Sequence, residues 1–167
     1  MQLHILNADE NMCVDLAKVK HCVWQTTYQN IYPDKKLQNF DFNYHANKFK
    51  DMINSKDIQL YVAMIYNKIV GYTAVGKSPR RQNSAFFELI LLYVLQEYQG
   101  QGIGKALFKF AKEKLYKSNS NNFIIYCNKY NYDSQKFYLK MGCEIIETDP
   151  DNIDKSIPQI KFRYNFD

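Results

Sequence analysis

No apolar stretch of this 167-residue chain is long enough to cross a bilayer. The longest uncharged run, Leu89 to Leu95, falls far short of the roughly 18 to 20 residues a spanning helix needs. The opening MQLHILNADE has neither a basic segment nor a long apolar one, so no secretory signal is expected and the protein is read as cytoplasmic, without a membrane partner. Cysteine is scarce and scattered. Cys13, Cys22, Cys127 and Cys143 form no C-x-x-C pair, which argues against a zinc knuckle or redox motif and for buried, reduced thiols. His4, His21 and His45 fall at no ligand spacing such as H-E-x-x-H, so no metal is expected. Repeats and low-complexity tracts are lacking too. A chain of this length is expected to form one domain, residues 1–167, around one sizeable core.

What is present is ordinary in amount: 46% hydrophobic and 23% charged residues, the balance of a globular protein. The net charge of +5 is spread along the chain and accompanies no nucleic-acid signature, so a small anion, and not nucleic acid, is the expected partner. Leu3–Leu6 reads as a short strand and Asp9 to Tyr28 as a helix; Pro33 stops any helix, and a weaker helical stretch follows over Tyr44–Ile53. The period then changes to two. Residues 59–65 and 69–75 alternate as a hairpin joined by residues 66–68, with a polar loop over 77–84. Phe86–Leu95 is a long apolar strand, expected to be central and covered on both faces.

After it come Gly100, Gly102 and Gly104, then a helical pattern carried by Ile103, Ala106, Leu107, Phe110, Ala111 and Leu115. SNSNN at 118–122 ends that helix before a buried strand at 123–127, a strand–helix–strand crossover that implies a parallel pair. A helix from Asn131 to Met141 should stop at Gly142, and strands near 143–148 and 157–164, separated by a loop containing Pro150 and Pro158, close the chain.

The glycines fit neither common nucleotide motif. Counting back from Gly104-Lys105, Walker A would need glycine at Gln99 and a hydroxyl at Ala106. The dinucleotide fingerprint would need glycine at Ile103 or Lys105. What remains is Gln99-x-x-Gly102-x-Gly104 opening a helix, where amides without intrahelical acceptors and the positive end of the macrodipole suit a pyrophosphate.

These residues resemble the GCN5-related N-acetyltransferases, whose acetyl-CoA loop reads [QR]-x-x-G-x-[GA]. The strand residues LYV at 92–94 and NYDSQKFYLKMG at 131–142 are similar to two further family segments, so the likeness spans residues 59–148. Leu95, Ser134 and Cys143 depart from the family's usual proline, alanine and phenylalanine. The resemblance implies an α/β (α+β) fold: a mixed, mostly antiparallel sheet of roughly six to seven strands flanked by about four helices, with a splayed parallel pair. It implies acetyl-CoA as co-substrate, held by the backbone of Leu92, Tyr93 and Val94, by the loop from Gln99 through Gly100, Gln101, Gly102, Ile103 and Gly104 to Lys105, and by Asn128 and Asn131.

For transfer to an amine, the resemblance makes Glu88 the general base and Tyr138 the group facing the CoA sulfur. A lysine-like amine lies about 3.4 units above pH 7, so losing its proton costs roughly 4.6 kcal/mol. Glu88, six residues before Val94, is expected on the same strand face; the alternative is a solvated strand end near Ser84. A phenol is a weaker acid than a thiol, so Tyr138 is expected to donate a hydrogen bond to the developing thiolate, the alternative being plain helix packing. Trp24, Tyr28 and Tyr32 resemble an aromatic acceptor pocket, or are core. The expected activity is acetylation of a primary amine, of a small molecule before a protein or peptide, through a ternary complex; a non-catalytic acyl-CoA sensor is the other alternative. A homodimer is left open.

Overall fold

The computed structural model describes residues 2–80, 86–118, 120–148 and 158–166. Residues 81–84 of the expected loop, Asn119, and most of the segment after Thr148, Pro150 and Ile157 included, lie outside the described residues.

Alternating apolar residues build β2 (Ile58–Ile65) and β3 (Lys68–Lys77), and their two-residue turn forms because Tyr66 and Asn67 both take positive φ, 47° and 62°. The sheet continues through β1 (His4–Asn7), β4 (Phe87–Val94), β5 (Asn122–Asn128), β6 (Glu144–Thr148) and β7 (Gln159–Asn165). Its order is β1-β2-β3-β4-β5-β7-β6, seven strands with β4 in the middle, antiparallel everywhere except between β4 and β5.

Helices α1 (Cys13–Thr27) and α3 (Phe42–Ile53) cover one face of β2 to β4, where Leu16, Val23 and Phe49 pack on Val62, Tyr72 and Ala74. On the other face, α4 (Ile103–Tyr116) and α5 (Tyr132–Lys140) place Phe108, Leu115 and Tyr138 against Leu89, Phe123 and Ile125. Each large side chain buried in these layers contributes about 1.5–3 kcal/mol. Phe108 was not in the expected helix face but is buried, while Ala106 and Phe110 are only partly so. The short helix α2 (Asp34–Gln38) was also unforeseen: Pro33 does not end a helix but opens one, its carbonyl accepting from Lys36 at 2.8 Å. α5 ends as expected at Gly142, whose φ of 89° lets Cys143 N donate to the Tyr138 carbonyl at 3.0 Å. Of the cysteines, Cys22 is exposed and the other three are buried.

Two features of β4 shape everything near it. Leu91 pairs with Ala74 but Leu89 with Val75, so Ile90 is an extra residue, a β-bulge. Phe87, Leu89, Leu92 and Val94 consequently face α4 and α5, and Ile90, Leu91 and Tyr93 face α1 and α3. Glu88, opposite Gly76, therefore shares the face of Tyr93 and not that of Val94; the expected common face with Val94 is wrong because the bulge shifts the alternation by one residue. The second feature is the parallel pairing. Among the described residues β4 and β5 are bridged at Glu88–Ile124 and nowhere further along, so the strands part toward their C-terminal ends. Leu91, Leu92 and Tyr93 are only half-buried as a result, while helices cover both faces of β4 as expected.

Among the described residues no helix is long and apolar enough to cross a membrane, and no group of three or more His, Cys, Asp or Glu is placed to hold a metal ion.

Candidate active site

Where β4 and β5 part, a cleft of about 580 Å³ runs from the glycine loop to α1. Its walls include the β4 segment from Leu89 to Val94, the α4 start, the α5 start and the aromatic side of α1. A volume of this size suits a small-molecule ligand.

At one end, Gly100 and Gly102 hold φ of 73° and 84°, a region that disfavours any side chain, and an added Cβ on either would meet nothing within 4 Å. Glycine is thus set by backbone conformation, and the open side of the loop faces the cleft. Gly102 caps α4 without a side chain, its carbonyl accepting from Ala106 at 2.9 Å, so the first amides of the helix have no intrahelical acceptor. A Cβ on Gly104 would lie 3.5 Å from Phe137, an ordinary contact. These features fit a pyrophosphate cradle: exposed amides, a macrodipole end, and Lys105 on the cleft wall.

The expected cofactor residues divide. Leu92, Tyr93, Val94, Gln99, Gly100, Gly102, Gly104, Lys105, Asn128 and Asn131 all line the cleft. Ile103 is buried beneath it, 1% exposed, and the Gln101 side chain folds back to the Glu97 carbonyl at 2.9 Å. Gln99 donates to the Val94 carbonyl at 3.0 Å, which ties the loop to the end of β4 and occupies that carbonyl. Asn131 Oδ1 accepts from Ser134 N at 3.1 Å and Asn128 Oδ1 from Tyr130 N at 2.9 Å, so both side-chain oxygens are engaged in starting α5.

Tyr138 lines the cleft from α5, 7% exposed, its ring packed on Phe108, Phe137 and Phe162. Burial first, then the neighbouring Cys127, Tyr93 and Cys143, hold its phenol well above the ordinary value, so the hydroxyl keeps its proton. Burial likewise pushes the Cys127 thiol up to about 12, which makes it an inert wall residue.

At the opposite end, Tyr28 and Tyr32 stack at 4.4 Å with planes 9° apart and line the cleft. Trp24 stands behind them, edge-on to Tyr32 at 5.5 Å, and is not among the lining residues. It is buttressed by Phe40 and His45, and Lys20 lies 5.1 Å over its ring. Burial raises the Tyr28 and Tyr93 phenols.

Glu88 is 1% exposed and does not line the cleft, which removes the solvated strand end as an account of it. Ser78 donates to its Oε2 at 2.6 Å, and Arg80 Nε lies 3.7 Å from Oε1. Burial raises its pKa against the pull of Ser78 and Arg80. Arg80 does line the cleft, with its guanidinium 3.8 Å from the centre of the Tyr126 ring. Ser78, Arg80, Tyr126 and Gln159 were missed from the sequence. The basic run KSPRR before β4 was the one available signal, since a loop leaving β3 opposite β4 must pass the lone charge of that strand.

The family model for the acetyltransferase (GNAT) domain matches residues 28–165. The chain is 28% identical over 137 residues, 81% of its length and 76% of the relative's, to the uncharacterized N-acetyltransferase YuaI of Bacillus subtilis. Among solved structures, the PaiA N-acetyltransferase of Thermoplasma acidophilum, in complex with coenzyme A, superposes with a TM-score of 0.84 at 21% identity, covering 99% of this chain and 100% of that one. YncA from Salmonella typhimurium, in a structure with acetyl-CoA, gives 0.76 at 14% identity over 100% and 95% of the two chains.

Proposed function

The chain belongs to the GNAT acetyltransferase family, and from that membership we propose that it transfers the acetyl group of acetyl-CoA to the primary amine of a small molecule within a ternary complex. The observation that carries the reading is the single β4–β5 bridge at Glu88–Ile124, because it leaves an open slot between parallel strands that leads straight to the glycine loop. In this reading the pyrophosphate rests on the α4 amides, and the pantetheine follows β4 past Leu92. The thioester stops beside Tyr138, whose protonated hydroxyl donates to the sulfur as the C–S bond breaks. The amine enters from the side of Tyr28 and Tyr32. The enclosing aromatic wall there supports a small acceptor over an extended peptide.

Glu88 is walled from the cleft by Arg80, so in this reading it acts on the acceptor through that arginine. The ammonium proton leaves to water, helped by desolvation among aromatic rings, which lowers an amine's pKa.

Mass spectrometry of products after incubation with acetyl-CoA and either an amine panel or a peptide pool tests the proposal. Acetylated small amines with stoichiometric CoA release are expected. Acetylated peptides alone would turn the reading to a protein acetyltransferase, and tight acetyl-CoA binding without CoA release in either pool would turn it to a sensor.

A further inference from the structure

A second cavity, of about 370 Å³, lies at the far end of α4 and shares no lining residue with the cleft. Its walls come from the start of β2, the end of β3, the start of β4 and the last turn of α4, where Lys114 stands about 15 Å along the helix from Gly104. Four lysines line it, Lys56, Lys77, Lys114 and Lys117, against one carboxylate, Asp57, which Lys77 already engages at 2.9 Å. The carboxyl end of the α4 macrodipole favours cations and accounts for Lys114 and Lys117; it does not account for Lys56 and Lys77, which reach the same cavity from outside that helix. Lys114 is set in place beforehand, its Nζ 5.2 Å from the centre of the Tyr61 ring and 5.0 Å from that of Phe110. Two neutral donors join the lysines. Gln59 Oε1 accepts from the Tyr61 hydroxyl at 2.8 Å, which leaves its Nε2 to donate, and Ser118 lines the same cavity with its hydroxyl. The half-buried Phe87 supplies an apolar part of the wall.

We propose that this cavity is a second binding site, for a phosphate-bearing small molecule of nucleotide size, whose phosphates meet the lysines and whose organic body rests against Phe87. Ammonium groups facing one concavity repel one another until an anion enters, and lysine takes phosphate as a compact point charge. The volume falls within the range of small-molecule sites and exceeds what a lone phosphate fills. The inference goes beyond acetyl transfer: it needs no residue of the cleft, and CoA held at the glycine loop leaves this cavity accessible.

The test uses the protein saturated with CoA, so that the glycine loop cannot take up the probe. ADP titrated calorimetrically should bind one-to-one and more tightly than pyrophosphate, while adenosine should not bind. The affinity for ADP should fall as salt is added. Lys56→Glu combined with Lys117→Glu reverses two exposed charges, so the melting temperature should stay within a few degrees of the parent and the KM for acetyl-CoA should not move. ADP should bind that double variant at least about tenfold more weakly. Should the double variant melt much lower, Lys56→Gln and Lys117→Gln taken singly decide, each expected to weaken ADP about twofold to fivefold. No binding of ADP to the CoA-saturated parent overturns the proposal, as does binding that the lysine variants keep. Adenosine binding as tightly as ADP would deny the lysines their role, and pyrophosphate binding as tightly as ADP would deny Phe87 its own; either overturns the site as assigned.

Discussion

Ser78 Oγ donates to Glu88 Oε2 at 2.6 Å, so the one acidic side chain of β4 is engaged by the residue that follows β3 and does not itself line the cleft. An ionised carboxylate at 1% exposure is costly unless its oxygens are satisfied, and the Ser78 hydroxyl with the Arg80 guanidinium offsets only part of that cost. Glu88 as a strut behind Arg80 and Glu88 as a general base predict different outcomes, which a simple loss of activity cannot separate.

Glu88→Gln keeps an oxygen for Ser78 and removes the charge facing Arg80. A strut predicts a loss of kcat/KM that is uniform from pH 6.5 to pH 9.5 and falls mainly on the acceptor KM. A base predicts a loss largest near neutrality that recovers at alkaline pH, where free amine is abundant. The sign of the stability effect is fixed as well. Burial raises this carboxyl in the folded state, so folding retains a proton that the unfolded chain releases, and the parent loses stability as pH rises above the ordinary carboxyl range. The variant lacks that loss, so its melting temperature relative to the parent should climb with pH over the same range.

Much of this was legible in the sequence, and the misses have physical causes. The alternation of β2 and β3 and the pattern Gln99-x-x-Gly102-x-Gly104 are local, set by residues within a few positions of one another, and both appear where expected. The bulge at Ile90 is not local: nothing distinguishes that isoleucine from its neighbours, and the extra residue is defined only by its register against Ala74 and Val75. The same limit hid Arg80, which reaches the cleft and contacts Tyr126 across more than 40 positions of chain, and Gln159, which enters the cleft through the pairing of β7 with β5. Trp24 and Tyr28 share a helix face by spacing, but only the tertiary packing decides that Tyr28 lines the cleft and Trp24 stands behind it.

Gly104→Val tests the cradle. The new Cβ makes an ordinary 3.5 Å contact with Phe137, and φ at this position is helical, so the fold should survive with a melting temperature within a few degrees of the parent. The branched side chain extends beside Phe137 and Val94 on the cleft wall, one residue into α4. Acetyl-CoA affinity measured by calorimetry should fall at least about tenfold, since phosphate binding at a helix end requires direct approach to the N–H groups. Unchanged affinity in the folded variant would place the pyrophosphate elsewhere.

A pH-dependent support lies behind the aromatic wall. Lys20 Nζ sits 3.0 Å from His45 Nδ1, so the imidazole must accept there and carry its proton on Nε2. Burial, and then the Lys20 charge, lower His45 to about 4, while burial lowers Lys20 to about 8. A base with a depressed folded pKa binds fewer protons in the folded chain, so stability falls as pH drops from 6.5, where the unfolded histidine charges, toward 4. His45→Gln keeps an acceptor for Lys20 without titrating. Melting curves of the variant should be flatter across that window than those of the parent, and equal slopes would show that another group titrates there.

Tyr138 offers the sharpest separation of chemistry from packing. Its contacts with Phe108, Phe137 and Phe162 are made by the ring, so Tyr138→Phe retains them and should melt nearly as high and bind acetyl-CoA nearly as well as the parent. Burial holds the phenol well above its ordinary value, so across the neutral and mildly alkaline range the hydroxyl is a protonated donor and its effect should be independent of pH. It cannot pass its proton fully to a thiolate whose conjugate acid is the stronger acid by more than a unit; it can stabilise charge developing on sulfur. Removing one donor of that kind lowers turnover by roughly 10² to 10³. Steady-state kinetics with an amine that the parent acetylates well should therefore show kcat reduced to that extent, by the same factor from pH 7 to pH 9, with the acetyl-CoA KM nearly unmoved. A kcat within about threefold of the parent would make Tyr138 a packing residue of α5 and leave the sulfur to be stabilised by backbone amides alone.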